Sequence, residues 1–433
     1  ILDEPSIGLH PRDTDKLIEV LISLKNLGNT VIVVEHEEKI MLAADQIIDI
    51  GPGAGSHGGN LIFQGHYKDA KIHNESSLTL DYLLKKEQIA LPSSRRNWNQ
   101  SILIKKAKEN NLKNIDVEIP LGIMTVVTGV SGSGKSTLIK KILYPSLGKI
   151  LGLNTGATGK FDGLDGDYQK INHIEFIDQN PIGKSSRSNP VTYVKAYDHI
   201  RQLFSEQPSS IKNRFKPAFF SFNVVGGRCD TCEGEGTVKI EMQFMADLHL
   251  TCENCGGQRF KKEILEVRYQ NKNINEILNL TVSEALIFFS DKKNICDKIK
   301  PLDDVGLGYV KLGQSSSSLS GGEAQRVKLA SFLGKKGVNK DDHTLFLFDE
   351  PTTGLHFHDI EKLLNSINRL INEKNSAVLI EHNIEVIKNA DWIIDLGPEG
   401  GENGGFINFA GLPEDMIKLR NHNYTARYLK EKI

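Results

Sequence analysis

The sequence lacks any long apolar run. No stretch approaches the roughly 20 consecutive apolar residues that a helix needs to cross a bilayer, so no membrane partner is predicted. A secretory signal is not predicted either, because the apolar start of the chain runs directly into Asp3 and Glu4 without a basic segment. We therefore expect a cytoplasmic protein.

The net charge is also small, and cysteines are few. The 433 residues carry a formal net charge of −2, so a nucleic-acid partner would have to bind a local basic surface. Five cysteines are too few for a disulfide scaffold of this length, and four of them occur as CxxC pairs, which favours a metal site. The chain begins with Ile1 rather than Met, which we interpret as the start of a fragment.

What the sequence does contain is an internal repeat. LDEPSIGLHPRD at residues 2–13 recurs as FDEPTTGLHFHD at residues 348–359, and the match continues without a gap for some 65 residues at a constant offset of 346. Such a length indicates a duplicated domain rather than a short solenoid repeat. The corresponding pairs include Asp3 with Asp349, Glu4 with Glu350 and His36 with His382.

Each copy is predicted to alternate strands with helices. Residues 345–348 and 377–380 are short apolar runs typical of buried parallel strands. Between them, apolar residues recur with helical spacing at Ile360, Leu363, Leu364 and Ile367. The pattern predicts an α/β fold in which helices cover a parallel sheet.

A glycine-rich motif is typical of nucleotide binding. TVVTGVSGSGKST at residues 125–137 places GxxxxGK[ST] between an apolar strand and a helix. In such a loop the backbone N–H groups surround phosphate oxygens, Lys135 reaches the terminal phosphates and the Ser136 hydroxyl suits Mg²⁺. A flexible Ser/Gly turn is the alternative, and the complete motif disfavours it. The predicted nucleotide-binding residues are Gly129, Ser131, Gly132, Gly134, Lys135, Ser136 and Thr137.

The strand at residues 345–348 ends in two acids that extend this prediction. Asp349 is expected to bind Mg²⁺ together with Ser136, and Glu350 to orient or deprotonate the attacking water. Alone, two acids after a strand would more often form a solvated turn. Beside a P-loop, the catalytic interpretation is favoured.

A further phosphate-binding motif opens the helix SGGEAQRVKLASFL with Ser320, Gly321 and Gly322. By itself it could be only a capped helix. In combination, the motifs resemble those of the ATP-binding-cassette (ABC) ATPases, in which this segment is the signature. The resemblance implies that Gln179 of FIDQNP is the Q-loop glutamine near Mg²⁺ and water. It also implies that His382 is the switch histidine at the γ-phosphate, although a lone histidine after a strand is more often structural.

The segment between P-loop and signature is longer than in an ordinary cassette, and it contains a cysteine motif. CxxC-x19-CxxC has the spacing of a structural zinc site, which we favour over four buried free thiols. The segment VKIEMQF between the pairs alternates like a strand, and glycines after each pair permit tight turns. The first pair also matches the CxxCxGxG of DnaJ-type chaperones, so the motif alone leaves the function open. The predicted ligands are Cys229, Cys232, Cys252 and Cys255, whereas Cys296 is predicted to pack.

Basic and aromatic residues surround these cysteines. The mixture suits a nucleic-acid backbone, and a solvated basic surface over core phenylalanines explains it equally well. The candidate DNA contacts are Arg214, Lys216, Arg228, Arg259 and Lys261.

The whole chain resembles the C-terminal part of the UvrA family, the damage-recognition subunits of the bacterial excinuclease. Besides the motifs above, the segments that carry the resemblance are DIGPGAGSHGG, FIDQNPIGKSSRSNP, FSFNVVGGRCDTC, EMQFMADLHLTCENC and VGLGYVKLGQSSSSLSGGEAQRVKLA. The resemblance implies ATP hydrolysis with Mg²⁺, zinc modules, binding of damaged double-stranded DNA as a homodimer, and handover to UvrB in nucleotide excision repair.

The resemblance also implies a domain organisation. Residues 1–91 would be the C-terminal remnant of a first ABC domain, residues 92–100 a linker, and residues 101–433 a second ABC-type P-loop NTPase domain. The second would carry an inserted helical, zinc-containing, DNA-binding module at about 185–290, and the GLH turns would lie where the two domains meet.

Each ABC site is completed by the signature of the opposite unit. We therefore expect this chain to bind nucleotide and, alone, to hydrolyse it poorly. A UvrA-like paralogue of drug self-resistance and an ABC ATPase of transport or translation type remain open alternatives.

Overall fold

The computed structural model describes residues 1–53, 55, 58–72, 77–183, 187–240, 242, 248–334 and 342–433. The chain divides into two compact units. We call Ile1–Asp178 with Gly337–Ile433 the core unit and Gln179–Lys336 the inserted unit. Both copies of the repeat lie in the core unit, so the division into two ABC domains at residues 92–100 stays a prediction.

The strands of the described residues form five sheets. Along the chain they are β1 (Leu2–Asp3), β2 (Val33–Val34), β3 (Ile47–Gly51), β4 (Asn60–Gly65), β5 (Ser101–Ala107), β6 (Ile115–Pro120), β7 (Met124–Gly129), β8 (Gly163–Gly166), β9 (His173–Ile177), β10 (Thr237–Ile240), β11 (Leu248–Thr251), β12 (Thr344–Asp349), β13 (Ser376–Ile380), β14 (Trp392–Gly397) and β15 (Phe406–Gly411).

The helices are mostly short. They are α1 (Pro11–Asn26), α2 (Glu38–Ala43), α3 (Leu78–Leu83), α4 (Tyr144–Ile150), α5 (Pro190–Tyr193), α6 (Tyr197–Ser205), α7 (Pro208–Lys212), α8 (Lys262–Leu265), α9 (Ile274–Leu278), α10 (Val282–Phe288), α11 (Lys293–Asp304), α12 (Gly321–Leu333), α13 (Phe357–Asn372), α14 (Ile384–Ile387), α15 (Pro413–Met416) and α16 (Tyr424–Leu429). A π-helical segment, Thr137–Leu143, runs directly into α4. Among the residues described, no helix combines the length and apolarity that crossing a bilayer requires.

A six-stranded sheet forms the centre of the core unit, in the order β15-β14-β7-β13-β12-β9. The strands from β14 to β9 are parallel, and β15 is antiparallel at the edge. Every residue of β7 and β13 is buried, which explains why these strands are continuous apolar runs. The predicted strands at residues 345–348 and 377–380 are confirmed as β12 and β13.

The helix predicted between these two strands is confirmed as α13. In α13 the four apolar residues with helical spacing are buried on one face. Helix α16 buries Ala426, Tyr428 and Leu429. A three-stranded antiparallel sheet, β6-β5-β8, packs its apolar residues into the same core as the central sheet.

The repeat is visible in the structure at the offset of 346. Helices α1 and α13 both have 16 residues and begin at Pro11 and Phe357. Strands β4 and β15, and helices α3 and α16, also begin and end at corresponding residues. Because α3 and α16 correspond, the duplication extends to Leu83 and Leu429.

The segment at residues 92–100 forms neither helix nor strand, but its side chains are anchored within the core unit. Arg96 Nη1 donates to Asp391 Oδ2 at 2.8 Å, and Arg95 Nη2 donates to the Lys388 carbonyl at 2.7 Å. The Trp98 ring meets the Trp392 ring edge-on. These contacts fix the segment against the residues that lead into β14.

The inserted unit contains α5 to α12 and the antiparallel hairpin β10-β11. The strand predicted for VKIEMQF is β10 for its first residues, and its continuation over 241 and 243–244 lies outside the described residues. Parts of other quoted segments, residues 54, 56–57, 184–186 and 245–247, also lie outside them. Cys296 is half-buried in α11 and donates from Sγ to the Phe289 carbonyl at 3.0 Å, in keeping with its predicted packing role.

Candidate functional site

The P-loop follows β7, one of the two central strands of the six-stranded sheet. Gly129 ends β7 with φ of 123°, and a Cβ there would lie 1.9 Å from the Leu396 carbonyl oxygen of β14. Only glycine fits this contact. Gly132 and Gly134 also have positive φ, so the loop turns tightly in front of the Thr137–Leu143 segment.

Lys135 lies folded inside this loop. Its Nζ donates to the carbonyl oxygens of Gly129 and Val130, both at 3.0 Å. Burial lowers the pKa of Lys135 to about 8, and the nearby Glu350 carboxylate opposes this shift. The neighbouring Ser133 Oγ is buried without a partner among the described residues. A buried cation beside an orphaned hydroxyl suits an anionic group such as phosphate.

Ser131, Ser136 and Thr137 present the other side chains of the loop. Ser131 Oγ contacts the first copy, as described below. Thr137 Oγ1 accepts a hydrogen bond from Asn110 Nδ2 at 3.1 Å. Ser136 is exposed at the start of the helical segment, where its hydroxyl is free to reach a ligand of the loop.

The acid pair lies at the carboxyl end of β12. Asp349 forms an ion pair with Lys140, which follows the P-loop. Glu350 has φ of 47°, an uncommon value for a residue with a side chain, and its N–H donates to the Ile380 carbonyl of β13 at 3.0 Å. Burial, with the adjacent Asp349 charge, raises the pKa of Glu350. A carboxylate with a raised pKa accepts a proton more readily, as a general base requires.

His382 lies next to Glu350. The His382 Nε2 atom is 3.9 Å from Glu350 Oε1, and the His382 side chain is only 8% exposed. Burial, together with the Lys135 charge, lowers the pKa of His382 well below its usual value, so the ring is neutral. The structure thus brings Lys135, Glu350 and His382 together at one edge of the sheet.

Glu381 is a residue that the sequence analysis missed. Its Oε1 accepts hydrogen bonds from the N–H and the hydroxyl of Thr352, at 2.9 and 2.7 Å. Its Oε2 accepts from the N–H groups of His382 and Asn383, at 2.9 and 3.1 Å. One buried carboxylate therefore fixes the loop after Glu350 to the loop that carries His382. The signal was present in the repeat, because Glu35 occupies the same position in the first copy.

The first copy has the same local geometry. Glu4 has φ of 43° and donates its N–H to the Val34 carbonyl at 2.9 Å. His36 Nε2 is 3.7 Å from Glu4 Oε1, and Glu35 Oε1 accepts from the Ser6 N–H at 2.8 Å. The side chain of His36 is 39% exposed, in contrast to His382. Asp3 ends β1 as Asp349 ends β12.

Within the core unit, the GLH turn of each copy lies against the glutamate of the other copy. A Cβ on Gly8 would lie 3.2 Å from Glu350 Oε2, and a Cβ on Gly354 would lie 3.3 Å from Glu4 Oε2. Ser131 Oγ donates to the Gly8 carbonyl at 3.5 Å and accepts from the His10 N–H at 3.4 Å. The turn of the first copy therefore covers both the P-loop and the acid of the second.

The remaining nucleotide candidates lie in the inserted unit. Ser320 caps α12, accepting from the Glu323 N–H at 3.2 Å while Glu323 Oε2 accepts from the Ser320 N–H at 2.9 Å. A Cβ on Gly321 would lie 3.1 Å from the Gln179 Cβ, so these two candidates are neighbours. Gly322 continues the first turn of the same helix. Their roles toward a nucleotide stay predictions.

The four cysteines of the inserted unit form one cluster. Their sulfur atoms all lie within 4.8 Å of one another, with Cys229 and Cys252 at 4.0 Å and Cys232 and Cys255 at 3.6 Å. Tetrahedral Zn–S bonds of about 2.3 Å place sulfur atoms about 3.8 Å apart, so the cluster fits a zinc ion. The turns after the pairs have positive φ at Gly234, Gly236, Gly256 and Gly257.

The five candidate DNA contacts differ in their burial and in their ion pairs. Lys261 pairs with Asp230 at 2.8 Å, and Arg228 pairs with Glu233 at 3.5 Å. Arg259 is largely buried, which lowers its pKa, and lies over the Phe222 ring. Arg214 and Lys216 are exposed, and their side chains contact no carboxylate in the part of the chain that is described.

Comparisons with known proteins agree with this geometry. UvrABC system protein A of Clostridium tetani is 54% identical over all of this chain, which spans 46% of that relative. The protein of the same name from Aquifex aeolicus is 51% identical, with the same coverages of 100% and 46%. The chain thus spans about half the length of the curated relatives it matches. No protein-family model matches the chain.

Solved structures give the same result. The crystal structure of UvrA2 from Deinococcus radiodurans matches with a TM-score of 0.92 and 41% identity, covering 100% of this chain and 52% of that one. The model of ribosome-bound archaeal Pelota and ABCE1 matches with a TM-score of 0.50 and 17% identity, covering 96% and 53%. The second match concerns the fold alone.

The sheet order, the P-loop after β7 and the acid pair after β12 define a P-loop NTPase fold of the ABC class. The fold class predicted from the sequence is confirmed. Across its whole length the chain is 51–54% identical to proteins named UvrABC system protein A, so over this part it is similar to the UvrA family.

The cysteine cluster generates a prediction about metal content. We expect the purified chain to hold about one equivalent of zinc, and the Cys252→Ser variant to lose it, because closed Cys₄ coordination requires all four thiolates. Cys296→Ser is the matched control and should keep the metal. Elemental analysis after dialysis measures the content. A Cys252→Ser protein with a full equivalent of zinc would contradict the assignment.

The Glu381 contacts generate a prediction about stability. Glutamine in Glu381→Gln presents one acceptor oxygen and one donor amide, so the amide would face two of the four donors. We expect the free energy of unfolding to fall by about 1–3 kcal/mol, measured by urea denaturation. Glu373→Gln, at an exposed position after α13, should leave it unchanged. An equal midpoint for Glu381→Gln and the parent chain would refute this role.

Proposed function

We propose that the chain is the nucleotide-hydrolysing and DNA-binding part of a damage-recognition ATPase in nucleotide excision repair. The observation that carries the proposal is the assembly of Lys135, Glu350 and His382 at one sheet edge, in a chain 54% identical to a UvrABC system protein A. ATP is the proposed nucleotide, as in the ABC class.

The chemistry follows from the charges and positions of these residues. Lys135 would leave the loop carbonyls and donate to the terminal phosphates, where its charge is worth most because the site is buried. Glu350 would accept a hydrogen bond from the attacking water and orient it in line with the γ-phosphate. His382, neutral and adjacent to Glu350, would donate a hydrogen bond from one ring nitrogen.

Asp349 and Ser136 offer the carboxylate and hydroxyl oxygens that Mg²⁺ prefers. Mg²⁺ bound there would neutralise charge on the phosphate oxygens. The ion pair of Asp349 with Lys140 supports this assignment, because it places a cationic group at the same carboxylate. Lys140 would exchange this contact when a nucleotide is bound.

The inserted unit is the proposed DNA-binding part. Zinc in the cysteine cluster would hold the two knuckle turns together and so fix the basic residues around them. Arg214 and Lys216 are the strongest of the five candidates, since Lys261, Arg228 and Arg259 are engaged within the inserted unit itself. The proposed partners are damaged double-stranded DNA, a second copy of the protein, and UvrB, in the cytoplasm.

Lys135→Ala tests the nucleotide site. We expect its affinity for a fluorescent ATP analogue to fall at least about tenfold, because a charge-assisted hydrogen bond contributes about 1.5–3 kcal/mol. Lys141→Ala, an exposed lysine further along the same segment, should bind like the parent chain. The binding titration can use this chain, and turnover should be measured in the full-length natural polypeptide that contains it. Unchanged affinity and turnover in Lys135→Ala would refute the proposed function.

A second experiment tests the DNA surface. We expect the double variant Arg214→Ala/Lys216→Ala to bind duplex DNA more weakly and to reduce the slope of log Kobs against log salt by roughly two, since each lost phosphate contact removes about 0.9. Lys261→Ala is the control, because it also removes one positive charge per substituted residue. Since Lys261 is paired with Asp230, we expect a smaller loss of DNA affinity and a smaller change of slope. Fluorescence anisotropy at several salt concentrations measures both. Equal effects of the two variants would place the DNA elsewhere.

A further inference from the structure

His10 lies buried between the two copies of the repeat, and both of its ring nitrogens are hydrogen-bonded. Nδ1 accepts from the Arg12 N–H at 3.2 Å, which caps α1. Nε2 lies 3.1 Å from Thr425 Oγ1, in the second copy. The side chain is 0% exposed, so no water competes for these contacts.

Thr425, which contacts His10 Nε2, also hydrogen-bonds to Asp395. Thr425 Oγ1 donates to Asp395 Oδ1 at 2.7 Å, and a hydroxyl has only one proton to donate. The Thr425 oxygen must therefore accept a hydrogen bond from His10 Nε2–H. Because Nδ1 accepts and Nε2 donates, these contacts assign His10 to a single neutral tautomer.

This set of contacts, which we call the first histidine bridge (His10, Thr425, Asp395), ends beside the nucleotide site. Asp395 lies in β14 opposite Thr128 of β7, the residue before Gly129. The His10 ring also packs edge-on against the His382 ring, with centroids 6.0 Å apart, and the His10 N–H donates to Ser131 Oγ. One residue of the first copy thus contacts the P-loop and the switch histidine of the second.

The same contacts recur with the copies exchanged. His356 Nδ1 accepts from the His358 N–H at 3.4 Å, and its Nε2 lies 3.2 Å from Thr79 Oγ1. Thr79 Oγ1 donates to Asp49 Oδ1 at 2.9 Å. This second histidine bridge (His356, Thr79, Asp49) runs from the second copy into the first, at the offset of 346.

The recurrence argues against a role in packing alone. Burying a histidine, a threonine and an aspartate costs free energy unless each polar atom is paired, and apolar residues would fill the same space without that cost. A neutral histidine with both nitrogens committed also fixes its ring in one orientation. Compared with apolar residues, the histidine, threonine and aspartate of each bridge hold the GLH turn in a defined position against the opposite copy.

We propose that His10 is a positioning residue for hydrolysis at the Lys135 site, acting through the first histidine bridge, and that His356 has the same role for the site of Glu4 and His36. His10 holds the GLH turn of the first copy against Ser131, Glu350 and His382, so the bridge affects the hydrolytic step more than nucleotide binding. The inference rests on the proposed function and adds to it a coupling between the two copies.

The test uses Thr425→Val, which removes the hydroxyl at nearly constant volume, and Thr425→Ser, which retains it. In the full-length natural polypeptide, we expect Thr425→Val to lower kcat about tenfold or more with little change in the KM for ATP. Thr425→Ser should restore most of kcat. A kcat for Thr425→Val equal to that of the parent, or an equal loss in Thr425→Ser, would overturn the proposal.

A second measurement does not depend on turnover. Long-range ¹H–¹⁵N spectra of the histidine-labelled chain, with His10→Gln for assignment, should show His10 as the Nε2–H tautomer at neutral pH, and Thr425→Val should change its ring shifts. A charged ring or an Nδ1–H tautomer at neutral pH overturns the bridge. Lys135→Ala tests the proposed function separately: if ATP affinity and turnover survive in that variant, the ATPase assignment fails whatever the Thr425 variants show.

Discussion

The burial of β7 between β14 and β13 is the constraint on which the rest of the core unit depends. Parallel strands share a direction, so their carboxyl ends meet at one edge. Gly129 at the end of β7 lies against Leu396 of β14 with no room for a side chain. This close approach turns the P-loop over the ends of β12 and β13, where Glu350 and His382 lie.

The same burial sets the charge states of the site. A buried ammonium and a buried imidazole both lose solvation, which lowers the pKa of Lys135 to about 8 and keeps His382 neutral. Burial raises the pKa of the Glu350 carboxyl in turn. An incoming phosphate would replace lost solvation for Lys135, because opposite charges attract strongly in a site of low dielectric constant.

Local patterns were enough to predict several elements of the second copy. The strands β12 and β13, the buried face of α13 and the glycines of the P-loop each follow from fewer than 20 consecutive residues. The sequence could not reveal contacts between distant residues, such as His10 with Thr425, which are 415 positions apart. Hydrophobic periodicity identifies which face of an element is buried, and it does not identify the polar atom that a buried donor will meet.

A comparison of the two copies of the repeat could have identified some of the buried polar residues that hydrophobic periodicity does not reveal. Glu35 with Glu381, His10 with His356, and Thr79 with Thr425 are identical pairs at one offset, and each is buried or partly buried and hydrogen-bonded in the structure. Other contacts between the copies involve positions at which the repeat differs. Arg12 pairs with Glu399 at 2.6 Å, and the corresponding positions are His358 and Gly53. Tyr82 stacks on Phe357, and the position that corresponds to Phe357 is Pro11. The hydrogen bonds of the two histidine bridges recur at the offset while these other contacts do not. The position of each GLH turn against the opposite copy is therefore a feature that the duplication retains.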